Sequence, residues 1–245
     1  MFRGQHMLEK LKGARALIIG GSSGIGEATA AMAAAAGARV TIASRSPTRL
    51  EAAQSRLPVG VEACALDVTD SSAVEAFFNR QPAWDVVVLS AAAVRSGSAR
   101  TLPLEDAHAA MQNKFWGAYY TGRFARVCEG GSITFVSGVY SVSPSAKAVL
   151  QGAINAAIEA MARGLALELA PCVRVNTVSP STTETPLWDF LGEGGRLEKM
   201  NTMRGHLPLG CIAQAGDIAE AILYVATNRF ATGSTVLVDG GDALV

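Results

Sequence analysis

Residues Ala16-Leu17-Ile18-Ile19-Gly20-Gly21-Ser22-Ser23-Gly24-Ile25-Gly26 constrain this chain more than any other stretch. A short apolar run stops at a glycine cluster. An alanine-rich helical pattern then begins at Glu27-Ala28-Thr29 and continues to Gly37. Strand, tight turn and helix in this order place a helix N-terminus where it can meet a phosphate. Gly20 lets the chain leave the strand sharply, Gly24 lets backbone N–H groups approach a pyrophosphate, and Gly26 lets the helix pack closely on the sheet. Together with Ser22, Ser23 and Ile25 they form a candidate dinucleotide site; the alternative is a purely structural turn.

The rest of the chain repeats the strand–helix alternation. Strands are expected at Arg39–Arg45, Val61–Leu66, Asp85–Leu89, Ser132–Ser137, Val173–Val178 and Ser234–Gly241. Helices are expected at Thr48–Arg56, Asp70–Arg80, Leu104–Cys128, Ala146–Ala170 and Asp217–Thr227. The strand at 85–89 has almost no polar residue, as expected when both its faces are covered. The pattern implies an α/β fold with a parallel sheet covered on both faces, in one domain. From Ser179 to Leu209 regular structure is not expected. Pro180, Pro186, Gly192, Gly194, Gly195 and Pro208 punctuate that stretch, which reads as a substrate loop or lid over about 180–209.

The end of the second strand bears on cofactor choice. An acidic residue near this point binds the ribose 2′-OH in NAD sites, but here the residues are Ser44 and Arg45. A hydroxyl and a guanidinium suit a 2′-phosphate. NADP(H) is therefore expected in preference to NAD(H), unless Arg45 is only a solvated strand-end charge. Asp67-Val68 closes the third strand where a side chain could meet the adenine, and Ser90-Ala91-Ala92-Ala93 makes a small-residue turn after the fourth.

Net charge is zero and no basic block appears, which argues against nucleic acid or an anionic membrane as partner. Hydrophobic residues make up 49% of the chain and charged residues 17%, ample for a buried core. Four scattered cysteines suggest neither a metal site nor a disulfide framework, and a reducing cytoplasm fits them. Met1–Met7 reads as a flexible leader.

These motifs, in this order and spacing, resemble a short-chain dehydrogenase/reductase from end to end. The resemblance rests on the glycine turn, Asp67, Asn113, the Val173–Val178 strand into Pro180, Thr185-Pro186 and Val238-Asp239-Gly240-Gly241. It implies a Rossmann-type doubly wound α/β fold, a seven-stranded parallel sheet in three layers, with NAD(P)(H), a small-molecule substrate and a homodimer or homotetramer. The helices around Asn113 and Asn155 resemble the family's dimer bundle, with Gly117, Ala118, Ala156 and Ala157 permitting close approach. By the same resemblance Ser22 and Ile25 flank the pyrophosphate, Ala91 lies beside the adenosine ribose, and Pro180 and Thr185 lie near the nicotinamide. The family's N-N-A-G turn appears here as Leu89-Ser90-Ala91-Ala92.

The catalytic residues depart from the family pattern. That pattern has a tyrosine acid, a lysine four residues later that lowers its pKa, a serine that binds the substrate oxygen, and an asparagine that holds a water chain to the lysine. Asn113 matches the asparagine. Counting back from Leu165-Ala166-Leu167-Glu168-Leu169, the tyrosine position is Gln151 and the lysine position Asn155. The serine position falls on Gly138, just after Ser137. A carboxamide at 151 cannot give up a proton, and one at 155 carries no charge.

Three readings follow. The chain can be a reductase acting on a carbonyl, imine or activated alkene by an unusual proton path, with Tyr140 as candidate acid and Ser137 as substrate-binding group. It can use the same pocket for a non-redox cyclisation or isomerisation. Or it can be an inactive dinucleotide-binding regulator. Tyr140 also reads as a pocket-wall aromatic, Glu184 as a solvated loop charge, and His108 and His206 as surface residues without partners.

Overall fold

In the computed structural model, which describes residues 9–91 and 95–245, the chain alternates strand and helix. The expected leader at Met1–Met7 and residues Ala92 and Ala93 of the small-residue turn lie outside the described residues. Strand β1 (Arg15–Ile19) leads into helix α1 (Gly24–Ala35), then β2 (Arg39–Ser44), α2 (Pro47–Gln54), β3 (Glu62–Ala65), α3 (Ser71–Arg80) and β4 (Trp84–Leu89). The second half begins with α4 (Leu104–Ala110), a π-helical turn (Met111–Trp116) and α5 (Gly117–Phe124), which run on as one rod. Then come β5 (Val127–Val136), α6 (Val149–Glu168), β6 (Arg174–Pro180), β7 (Thr183–Glu184), α7 (Gly192–His206), β8 (Ala213–Gln214), α8 (Ala215–Thr227) and β9 (Thr235–Val238).

Seven strands form one parallel sheet in the order β3-β2-β1-β4-β5-β6-β9. The order reverses between β1 and β4, and the crevice beyond their C-terminal ends is where such sheets bind ligands. Alternation along β1 shows why both faces are covered. Ala16 and Ile18 join one apolar cluster with Val40, Ile42 and Val88, covered by α1, α2 and α8. Leu17 and Ile19 join the other with Val87, Leu89, Phe78 and Phe135, covered by α3, α5 and α6. Each fully buried Leu or Ile is worth about 1.5–3 kcal/mol, so the central strands anchor both layers.

Local signals fix several helix starts. The Asp70 carboxylate accepts from the Ser72 and Ala73 amides at 2.9 and 3.0 Å, capping α3. Ser46 caps α2, with Pro47 at its first turn. Gln214 and Asp217 form a reciprocal capping box at α8.

Two sequence expectations are corrected. The helix expected to reach Cys128 ends at Phe124, because β5 begins early at Val127 and places Cys128 in the sheet. The lid is not irregular: 186–191 form a 3-10 turn and 192–206 a helix. Its glycines lower helix propensity, but tertiary contacts override it. Met200, Met203 and Trp188 pack with Leu207 and Ile212. Arg196 reaches Asp189 at 2.9 Å and Glu184 at 3.5 Å. Glu193 in the first turn and Arg204 and His206 in the last suit the helix dipole.

Candidate active site

The turn after β1 is built by backbone geometry. Gly20 has φ +87° and Gly24 φ +54°, a region that side-chain-bearing residues rarely adopt. Side chains would also collide here. A Cβ on Gly20 would meet the Ala91 backbone across the β1–β4 switch point, and one on Gly26 would strike the Gly20 carbonyl. The first turn of α1 therefore opens beside the strand ends with its N–H groups free for an anion.

This turn forms one part of a cleft of about 480 Å³. Gly20, Ser22, Ser23, Gly24, Ile25, Ser44, Arg45, Val68, Ser90, Ala91, Asn113, Ser137, Tyr140, Gln151, Asn155, Pro180 and Thr185 all line it, so the structure brings these expected site residues together. Gly26 stands behind the wall, against Gly20. Asp67 is not on the lining; its Oδ1 accepts from the Thr69 amide at 2.9 Å and hydroxyl at 2.8 Å, closing a local turn. Leu66 and Val68 on either side of it face the cleft.

The nucleotide part of the cleft fits a nicotinamide dinucleotide on its own geometry. The Ser44 hydroxyl is buried with no hydrogen-bond partner among the described residues, a state that ordinarily costs free energy. Beside it Arg45, Ser46 and Arg49 line the cleft. Neither guanidinium has a carboxylate partner among the described residues. The glycine cradle, the orphaned hydroxyl and two uncommitted cations suit a ligand with a pyrophosphate and a further anionic group.

The other end of the cleft is a side-chain network. Lys114 on the π-helical turn is 5% exposed. Its Nζ donates to the Ser137 carbonyl at 2.7 Å and to Asn155 Oδ1 at 2.6 Å. Asn155 in turn donates through Nδ2 to the Gly138 carbonyl at 3.0 Å. Glu159, one turn further along α6 and also buried, accepts from the Ser137 and Ser141 hydroxyls at 2.7 Å each. Burial pushes the Lys114 pKa down to about 8, against the Glu159 carboxylate, which raises it.

The expected catalytic positions take specific places around this network. The Asn113 amide donates to the Ala109 carbonyl one turn back at 2.8 Å, so it is Lys114 that reaches Asn155. The Ser137 hydroxyl is committed to Glu159. Gln151 accepts from the Ser96 hydroxyl at 2.6 Å. At Gly138, the family's serine position, a Cβ would lie 2.8 Å from Asn155 Nδ2, so a side chain there would displace the Asn155 amide from its bonds. Tyr140 is half-buried, and burial together with the Asp242 carboxylate raises its phenol pKa. That shift makes it a weaker acid, opposite to the lowering that a tyrosine acid of this family requires.

Four residues outside the cleft differ from expectation. Glu184 is tied to Gln214 at 3.0 Å and to Arg196, bridging β8 and α7 instead of standing free in solvent. His206 has a partner, Asp242, at 3.3 Å. Asp242 is buried and also accepts from the Ser181 hydroxyl. Gly117 and Ala118 are buried within the chain, and a Cβ on Gly117 would press on Val68. They serve intramolecular packing and are not free for a subunit contact, whereas Ala156 is exposed.

Sequence reasoning missed Lys114, Glu159 and Ser141. Asn113 matches the family motif, which has no place for the residue beside it. The available signal was Lys114 itself, a lone cation inside an apolar helical stretch.

A doubly wound parallel sheet with a glycine cradle at its switch point defines a Rossmann-type dinucleotide-binding protein. Comparison with known proteins narrows the class. A family model described as "Enoyl-(Acyl carrier protein) reductase" matches residues 19–242. D-erythrulose reductase from Gallus gallus is 29% identical, over 94% of this chain and 96% of its own. A small-chain dehydrogenase solved in complex with NADPH is 30% identical with a TM-score of 0.79, covering 96% of this chain and all of the other. The MalC reductase/Diels-Alderase from Malbranchea aurantiaca is 27% identical with a TM-score of 0.87, covering 98% of this chain and all of the other. The chain belongs to the short-chain dehydrogenase/reductase family.

Proposed function

We propose that this protein is an NADP(H)-dependent oxidoreductase that reduces a small organic substrate without the family's tyrosine–lysine pair. The observation that carries the reading is the Ser44 hydroxyl beside the guanidinium groups of Arg45 and Arg49, the hydroxyl without a hydrogen-bond partner and the guanidinium groups without a carboxylate among the described residues. No carboxylate takes the place that reads a ribose 2′-OH, and a 2′-phosphate would satisfy all three groups. The NADPH complex of a relative supports the same cofactor class.

A bound nicotinamide would supply the hydride. Ser22, Ser23, Gly24 and Ile25 would hold the pyrophosphate on the open amides of α1, Val68 and Ala91 would flank the adenosine, and Pro180 and Thr185 would border the nicotinamide. The acceptor is a carbonyl, imine or activated alkene that meets the cleft beside Gln151, Asn155 and Tyr140. A second reading is non-redox cyclisation in the same pocket. It is favoured by the likeness to a reductase/Diels-Alderase and by the two carboxamides at 151 and 155.

Titration with NADPH and NADH tests the reading. Removing one charge-assisted contact costs about 1.5–3 kcal/mol, or roughly 10- to 150-fold in affinity. Arg45→Ala should therefore weaken NADPH by that factor and leave NADH nearly unchanged. Equal losses for both would show that Arg45 does not read a 2′-phosphate. A screen of NADPH oxidation over ketones, imines and activated alkenes then separates the redox reading from the cyclase reading.

A further inference from the structure

Lys114 is a buried cation that the family pattern does not account for. Two of its three ammonium donors are used, on the Ser137 carbonyl and Asn155 Oδ1. The residue also lines the cleft. A buried cation is expensive and weak grounds for stability. This one is nonetheless prepared for: the π-helical turn at 111–116 carries it, Asn155 is oriented to accept from it by its own bond to Gly138, and Glu159 supplies the balancing charge. Single π-helical turns are frequent at functional sites.

The arrangement is an exchange. The resemblance expects an amide from the helix after β4 and an ammonium from α6. Here α6 gives the amide, at Asn155, and the helix after β4 gives the ammonium, at Lys114, with 2.6 Å between them. We propose that Lys114 is the catalytic proton donor of this site, its ammonium bordering the nicotinamide and the substrate oxygen of a carbonyl. This rests on the cleft being a nicotinamide dinucleotide site. As hydride reaches the carbonyl carbon, the C=O π pair moves onto oxygen, an Nζ–H bond of Lys114 breaks and an O–H bond forms. The neutral amine left behind regains its proton from water. A lysine titrating near pH 8 is mostly protonated at neutral pH yet gives its proton up readily, which suits a general acid. Glu159 is the carboxylate that acts on it.

A test independent of turnover follows from charge. NADP+ carries a positive nicotinamide ring and NADPH a neutral one, so a neighbouring ammonium opposes NADP+ selectively. The affinities of both nucleotides are measured by calorimetry from pH 6.5 to 9 on the wild type and on Lys114→Met and Lys114→Arg. As Lys114 loses its proton with rising pH, the affinity of NADP+ relative to NADPH should climb, by up to about tenfold per pH unit. It should stay flat in Lys114→Met, and flat in Lys114→Arg, whose charge does not titrate. A flat ratio in a wild type that binds both nucleotides overturns the assignment and leaves the cofactor reading intact. Failure of the wild type to bind either nucleotide overturns the cofactor reading, and this inference with it. With any ketone turned over, Lys114→Met should lose on the order of 10² to 10⁴ in kcat at unchanged NADPH affinity. Retained kcat would refute the role.

Discussion

The two ends of the cleft are made from different materials. At the β1–α1 turn the binding surface is backbone: positive φ at Gly20 and Gly24, contact between Gly26 and the Gly20 carbonyl, and open amides on α1. At the β5–α6 end it is side chains: Lys114, Ser137, Asn155 and Glu159, joined by bonds of 2.6–2.7 Å. A backbone site leaves little choice of sequence, because only glycine meets its steric limits. A side-chain site needs a charge at a place in space, and any helix that borders the place can send it. The first kind persists as a motif while the second can be rebuilt from a different position.

The sharpest test of that contrast lies at the chemical end and has the largest expected effect. Asn155→Lys restores the family residue but sets a second ammonium against Lys114. An uncompensated buried charge costs about 3–5 kcal/mol. Combining Asn155→Lys with Lys114→Asn restores one cation facing one amide, with the donors reversed, and should recover much of that loss. Urea unfolding midpoints at unchanged m values report it. If the two single losses simply add in the double variant, the two positions are not coupled and the exchange argument fails.

At the nucleotide end the expected effect is smaller in stability but decisive for binding. Gly26→Ala forces a methyl group onto the Gly20 carbonyl. Overpacking of this kind costs about 1–3 kcal/mol, and the turn can relieve it only by moving the backbone that would hold the pyrophosphate. NADPH titration should show binding lost in a protein that still unfolds cooperatively. Ser22→Ala, which removes a side chain and leaves the backbone alone, should bind nearly as the wild type does. The reverse pattern would mean that side chains, not backbone, build this end.

The same contrast explains what the sequence makes legible. The seven strands, the glycine turn and the strand-end Ser44-Arg45 follow from local patterns, because parallel strands read as apolar runs and positive-φ turns demand glycine. Helix α7 is hidden, since its glycines lower propensity and its support comes from Trp188 and the 207–212 segment, distant from its own periodicity. The Lys114 network is hidden for a related reason. Its members lie on two helices and a strand end, separated by up to 45 residues, and only the fold shows that they meet. The His206–Asp242 contact is equally non-local.

Tyr140 carries the smallest expected effect and separates the two candidate acids. Burial, reinforced by the Asp242 carboxylate, holds its phenol above the ordinary value. Among the described residues no cation acts to lower it as the family's lysine lowers its tyrosine. A phenol in that state keeps its proton through the neutral range and gives it up less readily than a lysine titrating near pH 8. Tyr140→Phe should therefore leave NADPH affinity unchanged and shift the apparent KM of a carbonyl substrate by the worth of one neutral hydrogen bond, about 0.5–1.5 kcal/mol, while kcat stays near the wild-type value. A kcat loss on the order of 10² or more, with Lys114→Met nearly silent, would return the acid's role to the tyrosine. The exchange of donors between α6 and the π-helical turn would then be a matter of packing alone.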